Sequence, residues 1–432
     1  MRRVVISSAR PAGPAGRPTR RALLAAGLGA PAWGRAAPSH TLTVAAFPLV
    51  DEIVRAAIPA WQQLHPGVAV QVISRQYGDH HTAMTTALST AGLLPDVMAL
   101  ESSYVGRFAQ GGGLEDLAAE PFGIGRHRAR LVAYAYDQAI GRAGAVVAMP
   151  TDIGPGTMLY RADLLARAGV SAADLAGSWE GYLDAGNRIR ARTGAYLIGH
   201  VQTVKDILIR TGIRPGDSLY FGPDSQLLVE SDRFVRAFEI ARAVRRQKLD
   251  ARVPAWSNEW AEGLRRGTLA TELSGAWLVG QLSSWVAPQT SGLWRASPLP
   301  GGAQVSYGGS FYALPRRAEP ARKALAWQFL QFMTLDADRQ LAAFKSFDAF
   351  PALLDTHDNR FFDEPVPFLG GQPARQQWRD AARRITATRV HKQNSFADEV
   401  IGTELDKVLD RGKAIPAALA DARRLLERRA HR

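Results

Sequence analysis

The stretch TLTVAAFPLV DEIVRAAIPA WQQLHPGVAV QVIS, residues 41–74, determines the fold class of this chain. Residues 41–47 form a β-rich apolar run, and the apolar residues between 53 and 64 recur on one face of a helix. His65-Pro66-Gly67 ends that helix, and a run of alternating valines begins at Val68. The order strand, helix, strand with short connections predicts a parallel βαβ unit.

The same alternation continues after this unit. Residues 80–91 have the pattern of a helix, residues 95–100 that of a strand, and residues 104–110 that of a further helix. The order βαβαβα predicts an α/β fold in which helices cover a parallel sheet. Because parallel sheets hold ligands beyond the carboxyl ends of their strands, we expect the site at those ends.

Four residues at the predicted strand ends are therefore candidate ligand contacts: Phe47, Glu101, Ser103 and Tyr104. The Glu101 carboxylate can accept hydrogen bonds from two adjacent hydroxyl groups of a ligand. A helix-stabilising carboxylate at the start of the next helix is an equally good interpretation. The Tyr104 ring can stack on a ligand or pack beneath that helix.

The stretch 146–160 predicts a strand that crosses between two domains. An apolar run enters a segment punctuated by proline and glycine and then resumes, which is typical of a hinge. A tight structural turn accounts for the same residues equally well. Asp152 stands where such a crossing would open onto a cleft, and it is a further candidate contact.

TELSGAWL, residues 271–278, is followed thirty residues later by YGGS, residues 307–310. An indole such as Trp277 offers a flat apolar face to a sugar ring, and Gly308, Gly309 and Ser310 predict a turn whose backbone approaches hydroxyl groups closely. A core tryptophan beside a loop is the alternative. Two aromatic residues are reserve candidates, for each of which core packing is the favoured interpretation: Trp260, spaced helically after Trp256, and Phe368.

Residues 1–37 predict an export signal. They contain seven arginines and no acidic residue, and a short apolar run, residues 22–32, leads to small residues. The paired Arg20-Arg21 before this run suggests the twin-arginine route. The run is too short to span a bilayer, which takes about 20 residues. We expect cleavage between Ala32 and Ala37.

Composition narrows the functional class further. Without the first 37 residues, 46 Lys and Arg face 40 Asp and Glu, so the formal net charge falls from +13 to +6. That balance, with basic residues spread on a terminal helix, does not indicate a nucleic-acid surface. The chain has no cysteine, which excludes a lipid-anchored signal, disulfides and thiol chemistry. About 395 remaining residues predict two domains of a free periplasmic protein.

Several blocks together resemble the family-1 extracellular solute-binding proteins, the sugar-capturing receptors of ATP-driven importers. The blocks extend in the family's order from about residue 42 to the C-terminus. They are FAQGGGLEDL (108–117), MPTD (149–152) with LYRADL (159–164), GTLATELSGAW (267–277), WRASPLPGG (294–302) with GGS (308–310), and AWQFLQFM (326–333).

The resemblance implies a hinged, two-lobed periplasmic binding protein of type II, each lobe a mainly parallel sheet flanked by helices. Lobe 1 would take residues 40–150 and 306–355, and lobe 2 residues 151–305 and 356–432. It implies a receptor for a mono- or oligosaccharide, with Trp277 stacking on the sugar and delivery to the membrane permease of an ABC transporter. We expect a monomer without cofactor or bound metal.

The maltose-type pattern of the family is not reproduced. Leu100 and Glu101 stand where many members have an aromatic residue, and Gly154 stands where maltodextrin binders have a carboxylate. A polyol or glycerophosphodiester ligand, held through Arg107 or Arg161, remains an alternative. So does a receptor that signals without transport.

A secreted carbohydrate-active enzyme is the alternative from another class. Glycoside hydrolysis needs two carboxylates flanking a bond, and no pair is indicated by its spacing. The flanks of Ser310 also lack a nucleophile elbow. The adjacent His80 and His81 would point about 100° apart on a helix, so we expect solvated or capping histidines rather than a metal site. The sequence therefore favours a binding protein over an enzyme.

Overall fold

The computed structural model describes residues 40–90, 92–141 and 144–430. The export signal predicted for residues 1–37 lies outside the described residues. The strands of the described ranges are β1 (His40–Ala46), β2 (Val68–Ser74), β3 (Val97–Glu101), β4 (Met149–Arg161), β5 (Thr271–Gly275), β6 (Trp294–Ser297) and β7 (Ser306–Ala313).

Helices of the same ranges surround these strands, and short 3-10 turns connect several of them. The helices are α1 (Val50–Leu64), α2 (Tyr77–Thr90), α3 (Ser102–Gln110), α4 (Ala133–Gln138), α5 (Ala162–Ala168), α6 (Ala172–Ala176), α7 (Trp179–Thr193), α8 (Val201–Arg210), α9 (Asp232–Arg246), α10 (Asn258–Arg266), α11 (Leu278–Gln281), α12 (Pro320–Leu335), α13 (Ala337–Phe347), α14 (Ala374–Ala382), α15 (Asn394–Arg411) and α16 (Ile415–Ala430). No helix within the described ranges has the length and apolar character needed to cross a membrane.

The described strands form one sheet in the order β2-β1-β3-β7-β4-β5, with β6 also paired to β4. The predicted βαβαβ unit is confirmed, because β1 pairs in parallel with both β2 and β3. The prediction of mainly parallel pairing is wrong around β4, where β5, β6 and β7 all run antiparallel to it. Antiparallel neighbours need no helical crossover, and the pattern of local periodicity does not reveal such long-range returns.

The predicted crossing strand is β4, and its length explains how it serves two parts of the sheet. Its first half, from Met149 to Pro155, pairs with β7, while the second half, from Gly156 to Arg161, pairs with β5 and β6. A Cβ atom on Gly154 would lie 2.0 Å from the carbonyl oxygen of Tyr307, so only glycine fits at this approach of the two strands. The glycine that stands where maltodextrin binders have a carboxylate is thus required by the backbone.

Three hydrophobic cores pack against this sheet. The first surrounds β1 and β3 and includes Trp61 and Phe329, and the second lies among the helices that follow β4 and includes Tyr182 and Phe238. The third flanks the second half of β4 and contains Trp294. The lobe boundaries given above stay a prediction.

Candidate functional site

A cavity of about 360 Å³ lies at the carboxyl end of β3. One wall is formed by the start of α2 and the β3–α3 junction, and the opposite wall comes from α8, β7, α15 and the segments beside them. Its lining includes Tyr77, Glu101, Ser103, Tyr104, Arg210, Tyr220, Gly308, Arg389 and Asp398.

Glu101 caps α3 and is strongly hydrogen-bonded. Its Oε2 atom accepts from the backbone N–H and the hydroxyl group of Ser103 and, at 2.9 Å, from the Tyr77 hydroxyl group. The Ser102 hydroxyl group donates to Oε1 at 2.6 Å. The capping interpretation of this carboxylate is therefore correct, and its remaining lone pairs face a cavity in which Ser103 and Tyr77 are already oriented.

His81 joins the backbone of Tyr77 to that of Glu101 through its two ring nitrogens. Its Nδ1 atom lies 2.8 Å from the Tyr77 carbonyl oxygen, and its Nε2 atom accepts from the Glu101 backbone N–H at 3.2 Å. Because one nitrogen donates and the other accepts, the ring is neutral, and burial lowers its pKa. The ring stacks on Tyr104 with centroids 3.9 Å apart. The prediction of solvated or capping histidines is wrong, since His80 and His81 are both buried.

The opposite wall carries an ion-pair network around one buried lysine. Lys205 is buried on α8, and its Nζ atom lies 2.6 Å from Asp206 and 3.3 Å from Asp398 of α15. The Tyr220 hydroxyl group donates to Asp398 at 2.5 Å, and the Arg210 guanidinium lies 5.2 Å from the Tyr307 ring centroid. Fixed donors and acceptors of this kind can orient the hydroxyl groups of a polar ligand.

Trp277 lies two residues after the end of β5, and two glycines without side chains leave room for its indole. Its Nε1 atom donates to the Tyr307 carbonyl oxygen at 2.8 Å. Cβ atoms on Gly275 and Gly308 would lie 2.2 and 2.9 Å from that same nitrogen. The indole is therefore fixed beside Gly308, which lines the cavity, and its side chain keeps partial exposure.

Gly275→Ala is expected to weaken ligand binding about tenfold, which corresponds to about 1.4 kcal/mol. The new methyl group would displace the indole from the Tyr307 carbonyl oxygen, and a titration of ligand into the purified variant measures the effect. Gly125→Ala is the matched control, because a Cβ atom there has no neighbour within 4 Å. Unchanged affinity in a folded Gly275→Ala variant would show that the position of the indole does not matter.

Gly308, Gly309 and Ser310 do not form the predicted turn. They lie within β7, where Gly309 pairs with Ile153 and Ser310 pairs with Asp152. The backbone of Gly309 has φ 127°, which accommodates the irregular register at this crossing. Of the three, Gly308 lines the cavity, and Ser310 is buried.

Asp152 lies at the crossing of β4 and β7, where it pairs with Ser310, and it is not among the residues that line the cavity, so its predicted ligand contact stays a prediction. Burial raises its pKa to about 6, and a hydrogen bond from Ser310 acts in the opposite direction. The carboxyl group thus belongs to the crossing itself and is held by β7.

Three aromatic candidates lie in cores rather than at the cavity. Phe47 packs against Tyr77 with centroids 5.6 Å apart, and Phe368 is buried in the third core. Trp260 is 2% exposed and donates Nε1 to Glu272 at 3.0 Å. For all three rings the structure favours core packing over the predicted ligand contact. Each ring is large and apolar enough to fill an interior space.

The arginine suggested as a phosphate partner is also committed elsewhere. Arg161 is buried, and its Nε atom lies 2.8 Å from Asp163. Its Nη1 atom donates to the Leu264 carbonyl oxygen at 3.2 Å. A phosphate group in the cavity therefore cannot use this side chain, while Arg107 is exposed on α3.

Sequence reasoning missed the wall made by Arg210, Tyr220 and Asp398, which no motif marks. It also placed Trp256 and Trp260 in one helix, whereas α10 begins at Asn258 and leaves Trp256 outside it. No group of residues suited to hold a metal ion occurs among the described residues.

The fold and the cavity define a class: a two-lobed α/β binding protein of type II with a polar cleft beside a fixed indole. The family model of the bacterial extracellular solute-binding proteins matches residues 48–340. The chain belongs to this family, the family-1 solute-binding proteins. Sugar-binding members of the family serve ABC transporters.

Two curated relatives carry names of sugar-binding proteins. The lactose-binding protein of Rhizobium radiobacter is 24% identical over 385 residues, which cover 83% of this chain and 87% of that protein. The arabinooligosaccharide-binding protein of Bacillus subtilis (strain 168) is 23% identical over 290 residues, 64% of each chain. These relatives are binding proteins rather than enzymes.

Solved structures confirm the fold class. An extracellular solute-binding protein of family 1 superposes with a TM-score of 0.78 at 22% identity, covering 90% of this chain and 99% of that one. The ABC-transporter-associated binding protein of B. animalis subsp. lactis, in complex with beta-1,6-galactobiose, gives a TM-score of 0.74 at 20% identity, covering 90% and 97%.

Proposed function

We propose that this protein is the extracytoplasmic receptor of an ABC importer, which captures a saccharide in its cleft and delivers it to the membrane permease. The observation that carries the proposal is the polar cavity lined by Glu101, Ser103 and Gly308, with the Trp277 indole fixed next to Gly308. Sugars present apolar ring faces and polar hydroxyl edges, so they need both kinds of surface.

The wall carries charges of both signs, Glu101 and Asp398 with Arg210 and Arg389, and its donors and acceptors suit the hydroxyl groups of a ligand. Glu101 and Asp398 are already engaged with donors of the protein, among them tyrosine hydroxyl groups of residues that line the same cavity. The names of the relatives, lactose- and arabinooligosaccharide-binding protein, support a saccharide as well. The glycerophosphodiester alternative has lost one of its proposed cationic partners, because Arg161 is buried in an ion pair.

The proposal includes closure of two lobes around the ligand. Lobe 1 takes residues 40–150 and 306–355, lobe 2 takes residues 151–305 and 356–432, and the β4–β7 crossing is the hinge. A sugar that contacts both lobes binds the closed state more tightly and shifts the protein towards it. Micromolar affinity, roughly −8 kcal/mol, is expected of such a cleft.

The proposal extends to the cellular location and the partners of the protein. We propose export to the periplasm by the signal at residues 1–37 and action as a monomer that contacts only ligand and permease. We also propose reversible binding without turnover, which separates this function from that of a secreted carbohydrate-active enzyme.

A panel of saccharides, polyols and phosphodiesters tests the proposal. Titrations are followed by tryptophan fluorescence and melting temperature, because a ligand that binds only the folded state must raise the melting temperature. We expect a saturable response to one saccharide class, a smaller radius of gyration in X-ray scattering, and no product after long incubation. A response confined to phosphodiesters, or conversion of a saccharide into products, would contradict the proposal.

A further inference from the structure

A second cavity, of about 370 Å³, lies beside α11 and Trp285. Its walls come from the segment after β1, from α11 with the turn that follows it, and from the end of α13. Its lining includes Leu49, Glu52, Gln281, Trp285 and Asp348.

A row of three tryptophans leads from Trp285, which lines this cavity, through Trp256 to Trp277, which lies next to Gly308 of the first cavity. The Trp256 ring lies nearly parallel to Trp277, with centroids 5.9 Å apart, and nearly parallel to Trp285, with centroids 6.4 Å apart. On the facing wall, Phe47 packs against Tyr77 of the first cavity, and its chain neighbour Pro48 lines the second. Two runs of neighbouring residues therefore link the second cavity to the first, and Trp256, Trp277 and Phe47 within them lie outside both linings.

The tryptophans of this row differ in exposure from the others that the structure describes. Trp256 is 53% exposed and Trp285 is 56% exposed, while Trp277 is partly exposed. A continuous group of exposed indoles is unusual on a protein surface and marks a binding site. The remaining described tryptophans are all buried: Trp61, Trp179, Trp260, Trp294, Trp327 and Trp378.

The backbone around the second cavity is strained in several places. Leu49, Trp256 and Asp348 have φ of 77°, 71° and 52°, values that side-chain-bearing residues seldom adopt. Trp285 stands in a π-helical turn, Leu282–Val286. Strained backbone and π-helical turns concentrate at functional sites, where the surrounding structure maintains them.

Asp348 gives the second cavity a polar anchor. Its carboxylate lines the cavity and interacts with the charge of Arg375, while burial raises its pKa to about 6. A carboxylate in this situation can accept hydrogen bonds from two ligand hydroxyl groups. An indole and a carboxylate thus line one cavity, which offers both an apolar face and hydrogen-bond acceptors to a sugar ring.

We propose that the second cavity is a further saccharide subsite, so that the ligand is an oligosaccharide longer than a disaccharide. Its chain runs from the first cavity past Trp277 and Trp256 to Trp285, with Asp348 binding the hydroxyl groups of the distal unit. This inference rests on the proposed function, because it extends the same site.

Chain-length dependence of binding tests the inference. Arabino-, galacto- and malto-oligosaccharides of increasing length are titrated calorimetrically into the wild-type chain, Trp285→Ala and Asp348→Asn. In the wild type, we expect affinity to rise about tenfold between the disaccharide and the longer members of the series that binds. Trp285→Ala and Asp348→Asn should abolish this rise and leave disaccharide affinity within about twofold.

Leu64→Ala is the matched control, since Leu64 is 65% exposed on α1 and lines neither cavity. Equal affinity for short and long saccharides in the wild type would overturn the inference while leaving the proposed function intact. An equal loss at every length in Trp285→Ala would overturn it too, because Trp285 would then only support Trp277. Absence of binding at any length would overturn both.

Discussion

Trp277→Ala is expected to weaken saccharide binding by about 1 to 3 kcal/mol, roughly fivefold to more than a hundredfold in Kd. The indole is the large apolar face beside the first cavity, and the Tyr307 carbonyl oxygen fixes its orientation. A sugar ring that stacks on it loses that contact in the variant, while the polar wall remains. Isothermal titration with the saccharide that gives the largest melting shift measures the difference.

Trp277→Phe separates the two contributions to this effect. Phenylalanine retains an aromatic face but cannot donate to the Tyr307 carbonyl oxygen, so we expect an affinity between those of the wild type and Trp277→Ala. Circular dichroism confirms that each variant is folded before it is titrated. Full affinity in a folded Trp277→Ala variant would remove this indole from the site and leave the polar wall as the main binding surface.

Local patterns in the sequence predict the first half of the fold well. The βαβ unit over residues 41–74 follows from hydrophobic periodicity and from the helix stop at His65-Pro66-Gly67, and both are properties of neighbouring residues. The crossing strand over residues 146–160 is marked by its own proline and glycine pattern. The insertion of β7 between β3 and β4 joins residues far apart in the chain, and no local pattern encodes that pairing.

The site is predictable only where a motif and a strand end coincide. Glu101, Ser103 and Tyr104 line the cavity because they stand at the end of β3 or just after it. Arg210 and Asp398 join them from α8 and α15, which packing brings together without a sequence signal. Exposure is also a tertiary property, so the sequence alone could not distinguish buried Trp260 from exposed Trp256.

The stability of the protein is expected to depend on pH through Glu272, a residue outside the cavity. Glu272 lies in β5, is 4% exposed, and accepts a hydrogen bond from Trp260 Nε1 at 3.0 Å. Burial raises its pKa from 4.5 to about 7, and the Trp260 hydrogen bond opposes this rise only in part. The folded protein therefore binds a proton that the unfolded chain releases.

The sign of the effect follows from this raised pKa. Stability from the protonated carboxyl group is fully present below pH 4.5, declines as pH rises towards 7, and is lost above it. At about 1.4 kcal/mol per pH unit, the loss amounts to roughly 3 kcal/mol. Glu272→Gln keeps an acceptor for Trp260 but cannot ionise, so this contribution disappears in the variant.

The decisive quantity is the difference in unfolding free energy between wild type and Glu272→Gln, measured by denaturant titration at several pH values. Asp152 and Asp348 also have pKa values raised to about 6, but they are present in both proteins and cancel in the difference. The wild type should lose roughly 3 kcal/mol relative to the variant between acidic and mildly alkaline pH. Glu259→Gln, at an exposed position on α10, is the matched control.

A difference that stays constant with pH would mean that Glu272 is ionised in the folded protein at every pH tested. Its charge would then need a partner other than Trp260, and the interior behind β5 would have to be more polar than the described residues make it. A pH-dependent difference has a consequence for the ligand site as well. Trp260 contacts Trp256 with centroids 5.1 Å apart, and Trp256 stacks on Trp277, so packed rings link Glu272 to the indole proposed to stack on the sugar.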